Sequence, residues 1–500
     1  MSKNNVLQEE KKGAYRNILK GTAIFGGVQV FNILINLIKG KLIAIILGPL
    51  GMGISALLTT TIGTITQFAS LGISVSAMRE LARSHTEGDI YSLSEKIKIY
   101  RRLVLFTGIG GALVALALSP LLSHIAFHNY NYTIPFALLS LFVLFSILSN
   151  AEVTLLQGTG QLKQLAKTTL IGPLTGLLIS VPLYYIFGSK AIAPAMVILA
   201  AITFLINNYF ARKIPTKPIL FSWGKFKGLS KIWISMGLLL TVSTLLGTLS
   251  NFLVNSYISH YGNITDVGLF QSARSISEQY VGIVFMAMAI DYYPKLAAIS
   301  NDNNKVKEIV NNQSEIVMLL ISPIIMILII TASLLVEILL SNEFLVITPV
   351  VKWMSLGLFF KAASYPLSYI PLAKGDNKVF FWVEGVLGII ILLSFNIIAY
   401  HFYGLTGLGI SFLLFYIVYY LMIVIISVKR YSFSYFKGIF KIFIILLVII
   451  STIFLLSFKT GLIYVLTELG IFTLGAFFSF KELNRRMDLL KLVRERFKLK

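Results

Sequence analysis

The sequence predicts an all-α protein that crosses a membrane about fourteen times, as two six-helix bundles with two further helices at the C-terminal end. Three observations predict it. Of the 500 residues, 56% are hydrophobic and 13% are charged, with a mean hydropathy of +0.83. Such a chain is a polytopic membrane protein with short loops, not a soluble one. Apolar stretches of the ~20 residues needed to span a bilayer recur along its length. The basic residues fall almost entirely on alternate connections between those stretches, as the positive-inside rule requires.

The expected spans are 17–47, 53–80, 101–124, 133–157, 165–187, 190–211, 231–259, 266–293, 306–340, 345–372, 378–402, 404–428, 437–457 and 461–480. The first is too long for a cleavable signal and no A-x-A-like site follows it, so it reads as a retained signal anchor. It is polar on one side. With successive residues ~100° apart, Asn32, Asn36 and Lys39 fall within roughly 80° of Gln29, while Lys41 points elsewhere. A membrane helix turns such a stripe away from lipid. Two readings fit it: polar contacts between packed helices, or the wall of a substrate cavity.

Later spans repeat the pattern. The seventh carries Thr244, Thr248, Asn251 and Asn255 on one face. The eighth carries Gln271, Arg274, Ser275 and Glu278, with Arg274 and Glu278 four residues apart and able to pair. The tenth carries Lys361, Ser364, Tyr365 and Ser368 on one face. Lys41 and Lys352 lie off these stripes near helix ends, where a long side chain reaches the interface. Lys39, Arg274 and Lys361 sit deeper, where a charge costs ~3 kcal/mol or more and is by default functional. With Glu278 as the one acid nearby, they make a net basic cavity suited to phosphate or pyrophosphate. The expected substrate-binding set is Lys39, Arg274, Lys361, Gln29, Asn32, Asn36, Asn251, Asn255, Gln271 and Glu278. Glu152, Asp291 and Glu384 lie towards the inner helix ends. They fit coupling to a proton or sodium ion, and equally fit pairing with loop lysines and arginines.

Of the 43 Lys and Arg, 36 fall on the connections on one side, two (Lys190 and Lys459) on the other, and five within spans. Both termini are therefore expected in the cytoplasm. The net charge of +22 is a topology signal facing anionic lipid, not a nucleic-acid surface. The outer loops, such as GPLGMG and HNYNYT, are too short to form a domain.

Four weak internal matches share an offset of 214 to 217 residues. ILGPLGMGISALL pairs with SHYGNITDVGLFQSA, SAMRELA with DYYPKLA, LLQGTGQLKQLA with IPLAKGDNKVFF, and YIFGSKAIA with YHFYGLTGLG. Six spans separate the copies, so both halves run in the same direction. They are expected to be related by a pseudo-twofold axis along the membrane normal. The expected domains are 1–212 and 225–430 for the bundles, 431–480 for the added helices, and 481–500 for a basic amphipathic tail. That tail places Leu483, Met487, Leu490, Val493 and Phe497 at helical spacing.

No cysteine occurs, which removes disulfides, zinc–thiolate sites and iron–sulfur clusters. No GxxxxGK[ST] is present, no catalytic constellation shares a segment, and no metal or other cofactor is expected. The class is a secondary transporter rather than an enzyme.

LKGTAIFGGVQVFNILINLIKGKLIAIILGPLGMGISALL, followed by SLGISVSAMRELA, resembles the start of the Wzx-type O-antigen and polysaccharide flippases. These belong to the multidrug/oligosaccharidyl-lipid/polysaccharide exporter (MOP) superfamily, and the likeness extends over the whole chain in hydropathy. It implies a fold of two six-helix bundles like that of the MATE exporters. It implies movement of undecaprenyl-pyrophosphate-linked oligosaccharide across the bacterial inner membrane, for O-antigen, lipopolysaccharide or a similar surface polysaccharide. The partners implied are the lipid-linked glycan, anionic lipids, a coupling H+ or Na+, and a polysaccharide polymerase. A lipid II flippase and a multidrug exporter of the same superfamily remain as alternatives. A membrane-embedded glycan polymerase would need a larger outer loop.

Overall fold

A computed structural model of the chain describes residues 3–487. Side chains at 3–27, 29, 30, 377 and 487, and at scattered positions between 239 and 291, are outside the described set. Among the described residues every regular element is helical. In hydrocarbon each N–H and C=O must be satisfied within its own segment, which a helix does. Nine helical stretches among the described residues are long and apolar enough to cross a membrane. Ile134 is 80% exposed and Leu474 70%. Side chains of this kind suit lipid, not water. The chain is a multi-pass membrane protein.

The helices group into two compact units, Met1–His260 and Tyr261–Lys500. In the first, α1 (Lys3–Ser70) breaks at Gly48 (φ 62°, ψ −174°), just before Pro49. The helices α2 (Ile73–Thr86), α3 (Ile90–Ala117), α4 (Ser119–Phe127), α5 (Thr133–Gly158), α6 (Leu162–Phe187) and α7 (Ile192–Ala211) follow, and α8 (Trp223–Tyr261) ends the unit. The α1–α2 corner packs on α8 through two glycines. A Cβ on Gly72 would come within 2.2 Å of the Gly237 carbonyl oxygen, so nothing larger fits. Polar contacts extend the seam. Ser76 Oγ donates to the Trp233 carbonyl at 2.7 Å, Gln67 Nε2 to Thr244 Oγ1 at 3.3 Å, and Asn255 Nδ2 to Thr60 Oγ1 at 3.3 Å.

The second unit contains α9 (Ile264–Ala298), α10 (Asn303–Ile330), α11 (Ala332–Leu339), α12 (Thr348–Ala373), α13 (Asn377–Phe380), a π-helical segment (Phe381–Leu387), α14 (Gly388–Tyr431), α15 (Lys437–Leu456) and α16 (Leu462–Met487). α14 breaks at Gly404 (φ 55°, ψ −141°). α16 runs on through residues 481–487, where Arg486 pairs with Glu315 of α10 and with Glu482. The rest of the expected amphipathic tail, with Leu490, Val493 and Phe497, lies outside the described residues.

Local structure recurs between the units. α3 and α10 are each 28 residues long, and α5 and α12 each 26. Asp89 caps α3 by accepting from the N–H groups of Tyr91 and Ser92; Asp302 caps α10 by accepting from those of Asn304 and Lys305. Gly160 (φ 65°) follows α5 as Gly375 (φ 68°) follows α12. Gly188 (φ 59°, ψ −143°) ends α6 in the conformation that Gly404 takes within α14.

Candidate functional site

In the C-terminal unit, Arg274 and Glu278 occupy one face of α9, one turn apart. Arg274 Nε lies 2.7 Å from Glu278 Oε2, and Lys361 Nζ, from α12, lies 2.6 Å from Glu278 Oε1. Two cations thus share one carboxylate, and among the described residues the cluster keeps a net positive charge. All three side chains are partly shielded, Lys361 and Glu278 each at 24% exposure. In that setting a paired charge is far cheaper than a lone one.

Beneath this cluster a cavity of 360 Å³ opens between α12, α13, the π-helical segment and α14. Lys361, Ser364, Tyr365 and Ser368, the stripe read from the sequence, form one wall, together with Tyr369. Tyr365 donates to the Phe285 carbonyl at 2.7 Å and meets the Tyr369 hydroxyl at 3.0 Å. The opposite wall is Phe415, Tyr416 and Tyr419. Lys361 Nζ lies 5.3 Å from the centre of the Tyr416 ring, within cation–π range. Glu384 enters from the π-helical segment and accepts a hydrogen bond from Tyr419. One π-helical turn re-aims the side chains of a helix, and such turns are frequent at functional sites. The cavity therefore offers a cation, a carboxylate and a set of aromatic faces.

The remaining expected residues are distributed as follows. Lys39, half-buried in the N-terminal unit, places Nζ 3.3 Å from where a Cβ on Gly176 of α6 would lie. Asn32 is buried with Oδ1 unpartnered among the described residues, and Asn36 is exposed. The Gln29 and Asp291 side chains lie outside the described residues. Asn251 and Gln271 are half-buried, whereas Asn255 is fully buried and its amide is spent on Thr60. Glu152 is held by a bidentate pair with Arg101, at 2.9 and 2.7 Å. Arg101 belongs to α3, so this pair joins α3 to α5. Lys352, off the stripe, donates to the Ser457 carbonyl.

Sequence reasoning missed the aromatic wall from α14. Tyr416 and Tyr419 stand in a run of bulky residues, FLLFYIVYY, with no periodic polar signal. The π-helical turn at Glu384 has no signature in single-sequence periodicity. Outside the spans, Asp376 accepts from Arg430 Nε at 2.6 Å, and that bond holds its carboxyl below the usual aspartate value. It ties the α12–α13 turn to the end of α14.

By fold, the chain is similar to the lipid II flippase MurJ in an inward closed conformation. The TM-score is 0.70 at 16% identity, covering 94% of this chain and 100% of that one. It is similar, too, to an inward-facing multidrug resistance MATE family transporter of the MOP superfamily, with a TM-score of 0.69 at 16% identity over 82% of this chain and 96% of that one. In sequence it is 23% identical over 395 residues to the lipid III flippase of Escherichia coli K12, covering 77% of this chain and 92% of that protein. These relatives are flippases and transporters, not enzymes. Residues 42–349 match the family described as polysaccharide biosynthesis protein, and the chain belongs to that family.

Proposed function

We propose that this protein is a Wzx-type flippase. It carries an undecaprenyl-pyrophosphate-linked oligosaccharide, the repeat unit of an O-antigen or similar surface polysaccharide, across the bacterial inner membrane by alternating access. The observation that carries the reading is the cluster in which Arg274 and Lys361 share the single carboxylate of Glu278. A pair of cations with one acid between them retains attraction for an anionic head group, and Arg and Lys both suit phosphate. Within the N-terminal unit Lys39, Asn32, Asn36 and Asn251 are the further polar residues of the proposed binding set, and Gln271 is that of the C-terminal unit. The lipid III and lipid II flippases similar to this chain agree with a lipid-linked substrate.

The proposed architecture has fourteen crossings. The breaks at Gly48 and Gly404 divide α1 and α14 into two crossings each, while α1 leads into α2, α3 into α4 and α10 into α11. Two six-helix halves, 1–212 and 225–430, would be related by a pseudo-twofold axis. The equal helix lengths, paired caps and paired glycine conformations support it. α15 and α16 are the two additional helices, over 431–480. Both termini lie in the cytoplasm by charge distribution. Glu384, unlike Glu152, faces a cavity and is the acid suited to coupling with H+ or Na+.

A multidrug exporter is the second reading, because Phe415, Tyr416, Tyr419 and Glu384 are a lining that an organic cation would accept. One experiment separates the two. A strain lacking this gene is complemented with Arg274→Ala, Lys361→Ala and the triple Ala variant that includes Lys39. Loss of surface polysaccharide is expected in each. Full export by a folded triple variant would end the proposal. Export of a cationic dye that depends on Glu384 but not on Lys361 would support the second reading.

A further inference from the structure

A second cavity, of 230 Å³, lies wholly within the N-terminal unit, between α1, α2, α3 and α5. Among the described residues its wall carries no charge. Thr66, Gln67 and Ser70 enter from α1, Ser74 from α2, Thr107 from α3, and Ser146 and Asn150 from α5.

The hydrogen bonds of that wall decide what it can hold. Thr66 donates to the Ile62 carbonyl at 2.8 Å, Ser70 to that of Gln67 at 2.8 Å, and Thr107 to that of Val104 at 3.2 Å. With their protons committed to their own helix, these hydroxyls present acceptor lone pairs to the cavity. Ser146 and Asn150 are one helical turn apart on α5. Among the described residues neither side chain has a hydrogen-bond partner, so they supply donors as well as acceptors. An ion would meet no counter-charge among the described residues here, and a lipid tail would leave Ser146 and Asn150 unpaired. A neutral, polyhydroxylated group satisfies both kinds of site, because each sugar hydroxyl donates once and accepts twice.

We propose that this cavity is a subsite for an uncharged sugar ring of the transported glycan, with Ser146 and Asn150 as its specificity-determining residues. The inference rests on the lipid-linked glycan reading above.

The test measures binding of two probes to the purified full-length protein. One is farnesyl pyrophosphate, and the other is the same polyprenyl pyrophosphate carrying a neutral disaccharide. Ser146→Ala/Asn150→Leu is expected to raise the Kd of the disaccharide probe about tenfold, equivalent to about 1.4 kcal/mol, and to leave the sugar-free probe unchanged. Asn150→Ala, a truncation at an exposed position, is expected to act in the same direction if the double variant does not fold. Unchanged disaccharide binding, or equal weakening of both probes, would overturn the subsite. Lys361→Ala is expected to weaken both probes. If it weakens neither while the Ser146/Asn150 variants remain selective, the phosphate reading fails and the sugar subsite stands.

Discussion

Lys361 Nζ lies 2.6 Å from Glu278 Oε1, on a carboxylate whose other oxygen already holds Arg274. The acid is therefore more than an orienting partner for its own helix, because it ties α9 to α12. Removing its charge leaves two cations facing one another in a partly shielded site. Glu278→Gln should lower the unfolding temperature in detergent, and adding Lys361→Gln should recover part of the loss. Contacting charges typically show coupling of about 0.5–3 kcal/mol. Thermal unfolding of both single variants and the double variant checks this, and strictly additive losses would refute the coupling.

Arg274 and lysine differ in geometry rather than charge. The guanidinium engages Glu278 through Nε and spreads its charge over a rigid plane, whereas an ammonium is a compact point charge on a flexible stem. Arg274→Ala should reduce export by about tenfold or more, the effect of losing one charge-assisted contact. Arg274→Lys should retain an intermediate level. Surface polysaccharide measured against protein abundance reads both, and equal export by the two variants would remove charge from the argument.

Gly188 and Gly404 hold φ near +57° with ψ near −142°, a conformation that side chains with a Cβ rarely adopt. Residues forced into such regions cost about 1–3 kcal/mol each. Gly188→Ala and Gly404→Ala should destabilise by similar amounts, because no atom lies within 4 Å of either added Cβ and backbone strain is the shared cost. Chemical unfolding of the two variants tests it. A large difference between them would mean that the matching torsions do not reflect matching surroundings.

Which parts of this were legible in the sequence follows from the range of each interaction. The spans were legible because a bilayer imposes length and hydropathy on every crossing. The Arg274–Glu278 pair was legible because it is local, one turn of one helix. The bond from Lys361 to Glu278 joins residues 83 apart, and helical spacing holds nothing about such a pairing. The same limit hid the N-terminal cavity. Its groups come from four helices, and isolated Ser and Thr residues in a membrane helix look identical whether they bond their own backbone or face a void. Asn255 is the converse. Its place on a polar stripe was legible, but only packing shows that its amide meets Thr60.

His128 Nδ1 and His260 Nδ1 lie 2.9 Å apart, joining the α4–α5 connection to the end of α8, and the His124 ring is 6.1 Å from that of His128. One ring must donate and the other accept, so the bond requires a neutral acceptor. A proton on both would remove that acceptor and place two like charges in contact. Loss of hydration and then the charge of His260 hold the His128 imidazole below its ordinary value of 6.5. The folded protein thus binds this proton less readily than the unfolded chain. The stabilisation is present above about 6.5 and is lost as pH falls through the lower folded value. The unfolding temperature should therefore fall as the pH drops below about 6.5. His128→Asn should flatten that dependence. Asparagine is the suitable replacement because His128 has φ 56°, and asparagine tolerates the left-handed region. A pH dependence of the same steepness in His128→Asn and in the unaltered protein would show that this pair carries no part of it.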